Sequence, residues 1–350
     1  MAKITTPKER ELALINGEDL DMMPIWQING IVASQNLGYH WKDVRFDAKK
    51  CCQIIQDFAK QSGTDVLGHT CIEPNVIVAD LPGVEIKFTD DNYANVMSHY
   101  YVEAEDIESK PLYDPANEKE CPMLWKALLN KTVMMGKDKK RDFLAQQVSW
   151  SVMTTAGFLR GPESLLMDLA LEPDLAAKAL GKSTGLVDAA VRVGLDAGCE
   201  VAYLADPTAS GSLINGATYA DYIAPGTKKI IAGFKKDYKV PTYIHVCGET
   251  APVAKEICST GNALFSIDFM NNLTEIRGLI GDKVILAGNL NPMDVIWKGT
   301  PEKVMAESKR IIEEVKGTRF VLATGCETPR DTPTENLAAM KTAVKKYAVY

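Results

Sequence analysis

His245 and Cys247, within Tyr243-Ile-His-Val-Cys-Gly-Glu249, set an imidazole and a thiol two residues apart. Residues at that spacing on a strand point to the same face, so both groups aim at one place. A later thiol, Cys326, sits in the tight turn Thr324-Gly-Cys-Glu-Thr-Pro329. One imidazole and two thiolates suit Zn²⁺, and three protein ligands leave a fourth position open for substrate. The two cysteines are too far apart along the chain for a zinc finger, so a fold must bring them together. Thiolates bind metal only when deprotonated, and two of them weaken the ion's Lewis acidity. Such a centre is expected to hold a substrate sulfur or oxygen and lower its pKa, rather than to make hydroxide. The bland alternative is a satisfied buried histidine with two core thiols.

Other polar residues fall at the ends of strand candidates. Glu73 and Asp268 are the two carboxylates expected to supply a displaceable fourth ligand; either can equally be a capping acid. Asp206 opens Asp206-Pro-Thr-Ala-Ser210, and Asn289 lies with Asn291 in Gly288-Asn-Leu-Asn-Pro292. Asp206 and Asn289 are candidate catalytic groups, although such residues also build turns. His69 is a candidate substrate contact, while His40 and His99 read as surface or loop residues. Cys51, Cys52, Cys71, Cys121, Cys199 and Cys258 read as ordinary reduced residues, small and apolar enough for a core. Gly181-Lys182-Ser183 has the tail of a phosphate-binding loop, but Ala176 stands where the first glycine belongs and the pattern is helical. Gly278-Leu-Ile-Gly281 is not a dinucleotide fingerprint either.

The elements that position these groups alternate. Strand candidates are 23–28, 65–69, 147–153, 200–205, 241–246, 263–267, 284–287 and 319–323. Helical patterns lie between them. Thr6-Pro7-Lys8-Glu9 carries a capping box, Thr300-Pro301 caps a helix with an apolar face of Val304, Ile311, Ile312 and Val315, and Thr332-Pro333-Thr-Glu335 repeats the signature before Leu337, Met340 and Val344. Eight strands alternating with helices predict an α/β fold, a closed (β/α)₈ TIM barrel, over one domain of residues 1–350. On a barrel, catalytic groups come from the C-terminal strand ends, where His245, Cys247 and Cys326 all fall. The irregular stretch 83–140 reads as an insertion that forms a lid or a substrate wall, or else a solvated excursion.

Composition narrows the classes. Of 350 residues, 46% are hydrophobic and no low-complexity tract interrupts them, so the chain folds. A net charge of -7 argues against a nucleic-acid binder. The N-terminus lacks the apolar core of a secretory signal, and no run reaches the ~18 apolar residues of a membrane span. A cytoplasmic protein is expected.

The motifs resemble the zinc-dependent corrinoid methyltransferase branch of the uroporphyrinogen decarboxylase superfamily, over nearly the whole chain. They are Lys8-Glu-Arg-Glu-Leu-Ala-Leu-Ile-Asn-Gly17, Asp21-Met-Met-Pro-Ile25, Asp206-Pro-Thr-Ala-Ser210, His245-Val-Cys-Gly248, Ala287-Gly-Asn-Leu-Asn-Pro292 and Gly325-Cys-Glu-Thr-Pro-Arg-Asp-Thr-Pro333. His-x-Cys and Gly-Cys are the specific pieces. The resemblance implies a barrel that docks a separate cobalamin-carrying protein over its C-terminal face. Methyl would pass between the corrinoid cobalt and a small molecule at zinc, with His245, Cys247 and Cys326 in the ligand positions. The metal-free decarboxylase itself reads its substrate with N-terminal arginines, and Pro24 to Val44 contains none. Partners expected are the corrinoid protein, a small methylated substrate or methyl acceptor, and a second copy of the chain.

Direction of transfer is set by the pocket. Demethylation of a methoxylated aromatic needs aromatic walls, for which Trp26, Tyr93, Tyr100 and Tyr101 are candidates, Trp26 and Tyr101 foremost. Methylation of a thiol such as coenzyme M would use a cation for the sulfonate, and Arg160 or Arg330 could serve. The aromatics tilt the expectation toward demethylation. A contrasting class is a non-catalytic binding module around a closed, structural zinc.

Overall fold

A computed structural model describes residues 4–67 and 72–350. Nine strands are present among them: β1 Ile25–Trp26, β2 Ile86–Lys87, β3 Asn95–Val96, β4 Gln146–Trp150 and β5 Val201–Ala205, then β6 Thr242–Val246, β7 Leu264–Ile267, β8 Ile285–Leu290 and β9 Phe320–Thr324. Seven form one parallel sheet in the order β1-β9-β8-β7-β6-β5-β4. On the outer side of β1, Val66 makes a single parallel bridge to Trp26. The expected 65–69 strand is therefore represented by that bridge, and its last two residues lie outside the described ones. The architecture is the expected α/β, TIM-like barrel with seven full strands and a bridged eighth position.

Strand composition explains why this sheet curls on itself. Val-Ala-Tyr-Leu-Ala in β5 and Phe-Val-Leu-Ala-Thr in β9 are apolar on both faces and fully buried, as parallel strands covered by helices require. Alternate residues sort into two cores. Leu204, Ile244, Phe265, Leu286 and Leu322 face the surrounding helices. Tyr203, Tyr243, Leu264, Ile285 and Val321 fill the barrel with Trp26. Extending that parity along each strand puts His245 above Tyr243, Ser266 above Leu264 and Asn289 above Ala287. The interior thus changes from apolar to polar toward the C-terminal ends.

Two of the three helix-start signals read from the sequence form. Thr6 accepts from the Glu9 N–H at 3.2 Å and Glu9 accepts in return from the Thr6 N–H at 3.0 Å, closing the capping box. Thr300 caps Pro301–Glu314. The Thr332 signature does not form a cap. Pro333 is extended, the helix begins at Thr334, and the Thr332 hydroxyl is buried without a partner. Gly181 to Ser183 lie inside the helix Pro173–Asp196, where no phosphate loop can exist.

The expected insertion is displaced at both ends. The excursion begins with the 3₁₀ turn Pro74–Val78 and carries the β2–β3 hairpin, whereas its expected last part is the barrel helix Asn130–Lys137, packed on Ala48–Ser62. One side-chain and one backbone bond stitch the excursion down: Asn75 accepts from Trp150 Nε1 at 2.7 Å, and the Tyr101 N–H donates to the Leu159 carbonyl at 2.8 Å. It is a wall of the barrel mouth rather than a solvated loop.

At the opposite end, the helix Pro7–Asn16 closes the barrel. Glu11 accepts from the Tyr243 hydroxyl at 2.9 Å, and burial pushes its carboxyl up to about 8. Arg10 binds Asp21 through two bonds of 2.6 and 2.8 Å and Asp65 at 2.7 Å, with Lys341 also on Asp65 at 3.0 Å. Asp65 is fully buried and also accepts from the Ile25 N–H, so this knot ties the first helix to the first two strand positions. Arg10→Ala leaves a buried carboxylate short of its partner and is expected to cost about 3 kcal/mol. Urea denaturation checks this; an unchanged midpoint would refute the role of the knot.

Candidate metal centre

β6 delivers His245 and, one residue past its end, Cys247 on the same inward face. β9 ends at Thr324, and the following turn folds Cys326 back over the barrel. That turn has no room for a side chain at Gly325, where a Cβ would lie 2.5 Å from the Phe269 nitrogen. The result is a tight cluster. His245 Nε2 lies 3.0 Å from the Cys247 sulfur, and the two sulfurs are 3.2 Å apart without a disulfide. Ligand atoms of all three lie within 4.8 Å of one another, the one such His/Cys/Asp/Glu group among the described residues.

The bond between the two sulfurs splits them, holding the Cys326 thiol well below its ordinary range, with help from His245, and pushing Cys247 up. His245 is buried, and its Nδ1 meets Ser266 Oγ at 3.0 Å from the paired position on β7. With the Nδ1 proton on that hydroxyl, the Nε2 lone pair faces the sulfurs, as a ligating histidine needs. Two sulfurs and one imidazole nitrogen, gathered with no disulfide, fit a soft or borderline ion such as Zn²⁺.

The carboxylates expected beside the cluster behave differently from each other. Asp268 accepts from the Gly248 N–H at 2.8 Å, and burial, followed by the nearby Cys326, raises its pKa. Glu73 is turned elsewhere: it accepts from Trp41 Nε1 at 2.7 Å and the Ala94 N–H at 2.8 Å, beside Arg45 at 3.4 Å. Neither belongs to the three-residue cluster.

Asp206 accepts from the Thr154 N–H and hydroxyl, both at 2.7 Å, and from the Met153 N–H at 3.3 Å. Those groups open the helix Val152–Arg160, so this carboxylate serves as that helix's cap. Asn289 donates to the carbonyls of Asp268 and Asn271 at 3.2 and 2.8 Å, fastening the β7 and β8 loops together. Both side chains are bonded to backbone at the barrel mouth. His69 lies outside the described residues.

Two of the expected aromatic walls are packing. Trp26 is fully buried, edge-on to Tyr203 at 5.1 Å inside the barrel. Tyr101 is also fully buried, against Tyr100 at 5.1 Å. Tyr93 does reach the mouth: its hydroxyl donates at 2.7 Å to Glu327, the residue after Cys326. That pair closes over Gly30, where a Cβ would come within 1.5 Å of Glu327 Oε1. Arg160 is occupied by Asp168 at 2.8 Å and by the Tyr101 and Val102 carbonyls. Sequence reasoning missed Ser266 and Glu327, although Ser266 shares strand parity with Asp268 and Glu327 adjoins Cys326.

Known proteins share this frame. Residues 6–347 match the family described as uroporphyrinogen decarboxylase (URO-D). The methylcobamide:CoM methyltransferase MtbA of Methanosarcina mazei is 26% identical, covering 98% of each chain. The methylated-thiol–coenzyme M methyltransferase of the same organism is 25% identical over 99% of this chain and 91% of its own. A uroporphyrinogen decarboxylase from Dechloromonas aromatica is 29% identical, but over only 50% of either chain. Among solved structures, a methyltransferase from Methanosarcina mazei superposes with a TM-score of 0.84 at 21% identity, over 98% of this chain and 99% of its own, which is evidence of fold. The chain belongs to the uroporphyrinogen decarboxylase family, and its full-length likeness is to methylcobamide:CoM methyltransferases.

Proposed function

We propose that this chain is an enzyme that transfers a methyl group between the cobalt of a corrinoid carried by a partner protein and a small thiol. The observation that carries this is the convergence of His245, Cys247 and Cys326, the sulfurs 3.2 Å apart, at the C-terminal end of the barrel. Those three residues would hold zinc, and Asp268 is the carboxylate proposed to share the fourth position with substrate. Zinc there would supply one thing: a lowered pKa for the sulfur placed on it. The protein does the rest. Ser266 would orient the imidazole ring, and the turn over Gly325 holds Cys326 against Cys247.

Thiol methylation is favoured over demethylation of a methoxylated aromatic. The demethylating reading rested on aromatic walls, and Trp26 and Tyr101 are engaged in core packing. Full-length relatives named for methyl transfer to coenzyme M support the thiol direction. The partner is read by the same analogy as a corrinoid-carrying protein. No helix among the described residues is long and apolar enough to cross a membrane, which suits encounter with such a partner in solution.

Zinc-loaded protein mixed with free methylcob(III)alamin and a thiol is expected to consume the methylcobalamin, visible in its absorption spectrum. Methylation of cob(I)alamin by a methoxyarene, with thiols inert, would reverse the direction. No reaction with either, also with a corrinoid protein supplied, would favour a binding module around structural zinc. Cys247→Ala and Cys326→Ala are each expected to lose both zinc and turnover; a variant retaining one zinc per chain and full rate would contradict the ligand set. Ser266→Ala should keep the fold and weaken zinc binding by about 10- to 100-fold, measured by competition with a chromophoric chelator. Unchanged affinity would show that the hydroxyl does not orient the imidazole.

A further inference from the structure

A cleft of about 530 Å³ opens at the turn that carries Cys326. Its walls include Tyr93 and Glu327, the excursion residue Asp91, and Arg330 and Asp331 from the stretch after β9. A substrate whose sulfur reached the Cys247–Cys326 pair from this side would place its remaining atoms along those walls. Their charges therefore bear on what the tail of that substrate can be.

Arg330 is the one cation among the described residues lining the cleft. Its guanidinium is already engaged. Nε and Nη2 donate to the two oxygens of Asp331 at 2.9 and 3.0 Å, and Nη1 stands 3.5 Å from Asp91. Two carboxylates thus face one guanidinium, so these three side chains leave the wall net negative; Glu327 adds little, because burial pushes its carboxyl up to about 8. Farther out, Lys42 is matched by Asp90 at 2.8 Å. Arg160 is held by Asp168 and two backbone carbonyls. An anionic tail would have to pull Arg330 away from a carboxylate and would still meet the other one.

We propose that the small molecule methylated at this site carries no anionic group beyond its sulfur: the cleft selects a neutral or cationic thiol and discriminates against a sulfonate. This rests on the methyl-transfer reading above and narrows its substrate class. Asp91 and Asp331 are the specificity-determining residues. Coenzyme M, a two-carbon thiol ending in a sulfonate, is then a poor substrate here, although the relatives' names include it.

Three thiols of equal length separate the cases: 2-mercaptoethanol, 2-aminoethanethiol and 2-mercaptoethanesulfonate. With Co²⁺ in place of zinc, binding is read from the sulfur-to-cobalt absorption band, without turnover, and corrected for each thiol's ionised fraction. The neutral and cationic thiols are expected to bind about tenfold tighter than the sulfonate, the effect of roughly one uncompensated charge at a partly exposed site. The double variant Asp91→Asn/Asp331→Asn, which frees Arg330 at the surface, should close most of that gap. Equal or tighter binding of the sulfonate by the unaltered protein would overturn the inference alone. A cobalt spectrum that no thiol perturbs would instead sink the methyl-transfer reading, and this inference with it.

Discussion

The 3.2 Å approach of the Cys247 and Cys326 sulfurs is the contact on which everything else depends. Two sulfurs so close, with no disulfide between them and an imidazole nitrogen beside them, form a donor set that one cation can bridge. Parallel strands make this approach available. β6 and β9 are three strands apart in the sheet, yet curling carries their C-terminal ends over a common axis. Cys247 arrives by strand parity, and Cys326 by a turn whose backbone passes against Phe269.

Around that contact the mouth is built from buried polar groups, each tied to a neighbouring loop. Ser266 reaches His245 across the β6–β7 register, Asp268 takes the Gly248 N–H, and Asn289 takes the Asp268 and Asn271 carbonyls. Asp206 fixes the start of the helix Val152–Arg160. These bonds lie in a layer directly above an apolar floor of Tyr203, Tyr243 and Trp26. Rigid strands below and bonded loops above hold the three donors within 4.8 Å, the preorganisation a metal centre needs.

Much of this was legible in the sequence. Period-two spacing put His245 and Cys247 on one face, and the placement of Cys326 just past a strand put it at the same end. The seven full strands fall inside or within a few residues of the apolar runs that announced them, and the bridge at Val66 marks the shortest. What escaped has physical reasons. Parity tells which face a side chain takes but not its depth, so Trp26 faces inward yet belongs to the packed floor. Tyr101 and Glu73 sit in or beside an excursion with no periodicity, and their partners, Leu159, Arg45 and Trp41, are remote along the chain. The Thr332 signature failed because Pro333 itself occupies the extended cap position.

The central claim concerns which atoms hold the ion, and zinc-edge X-ray absorption on the purified protein addresses that directly. Two sulfur neighbours at about 2.3 Å and one imidazole nitrogen at about 2.0 Å are predicted, with one light atom completing the shell. A shell of oxygen and nitrogen alone, or a fully active sample free of transition metal, would contradict the account.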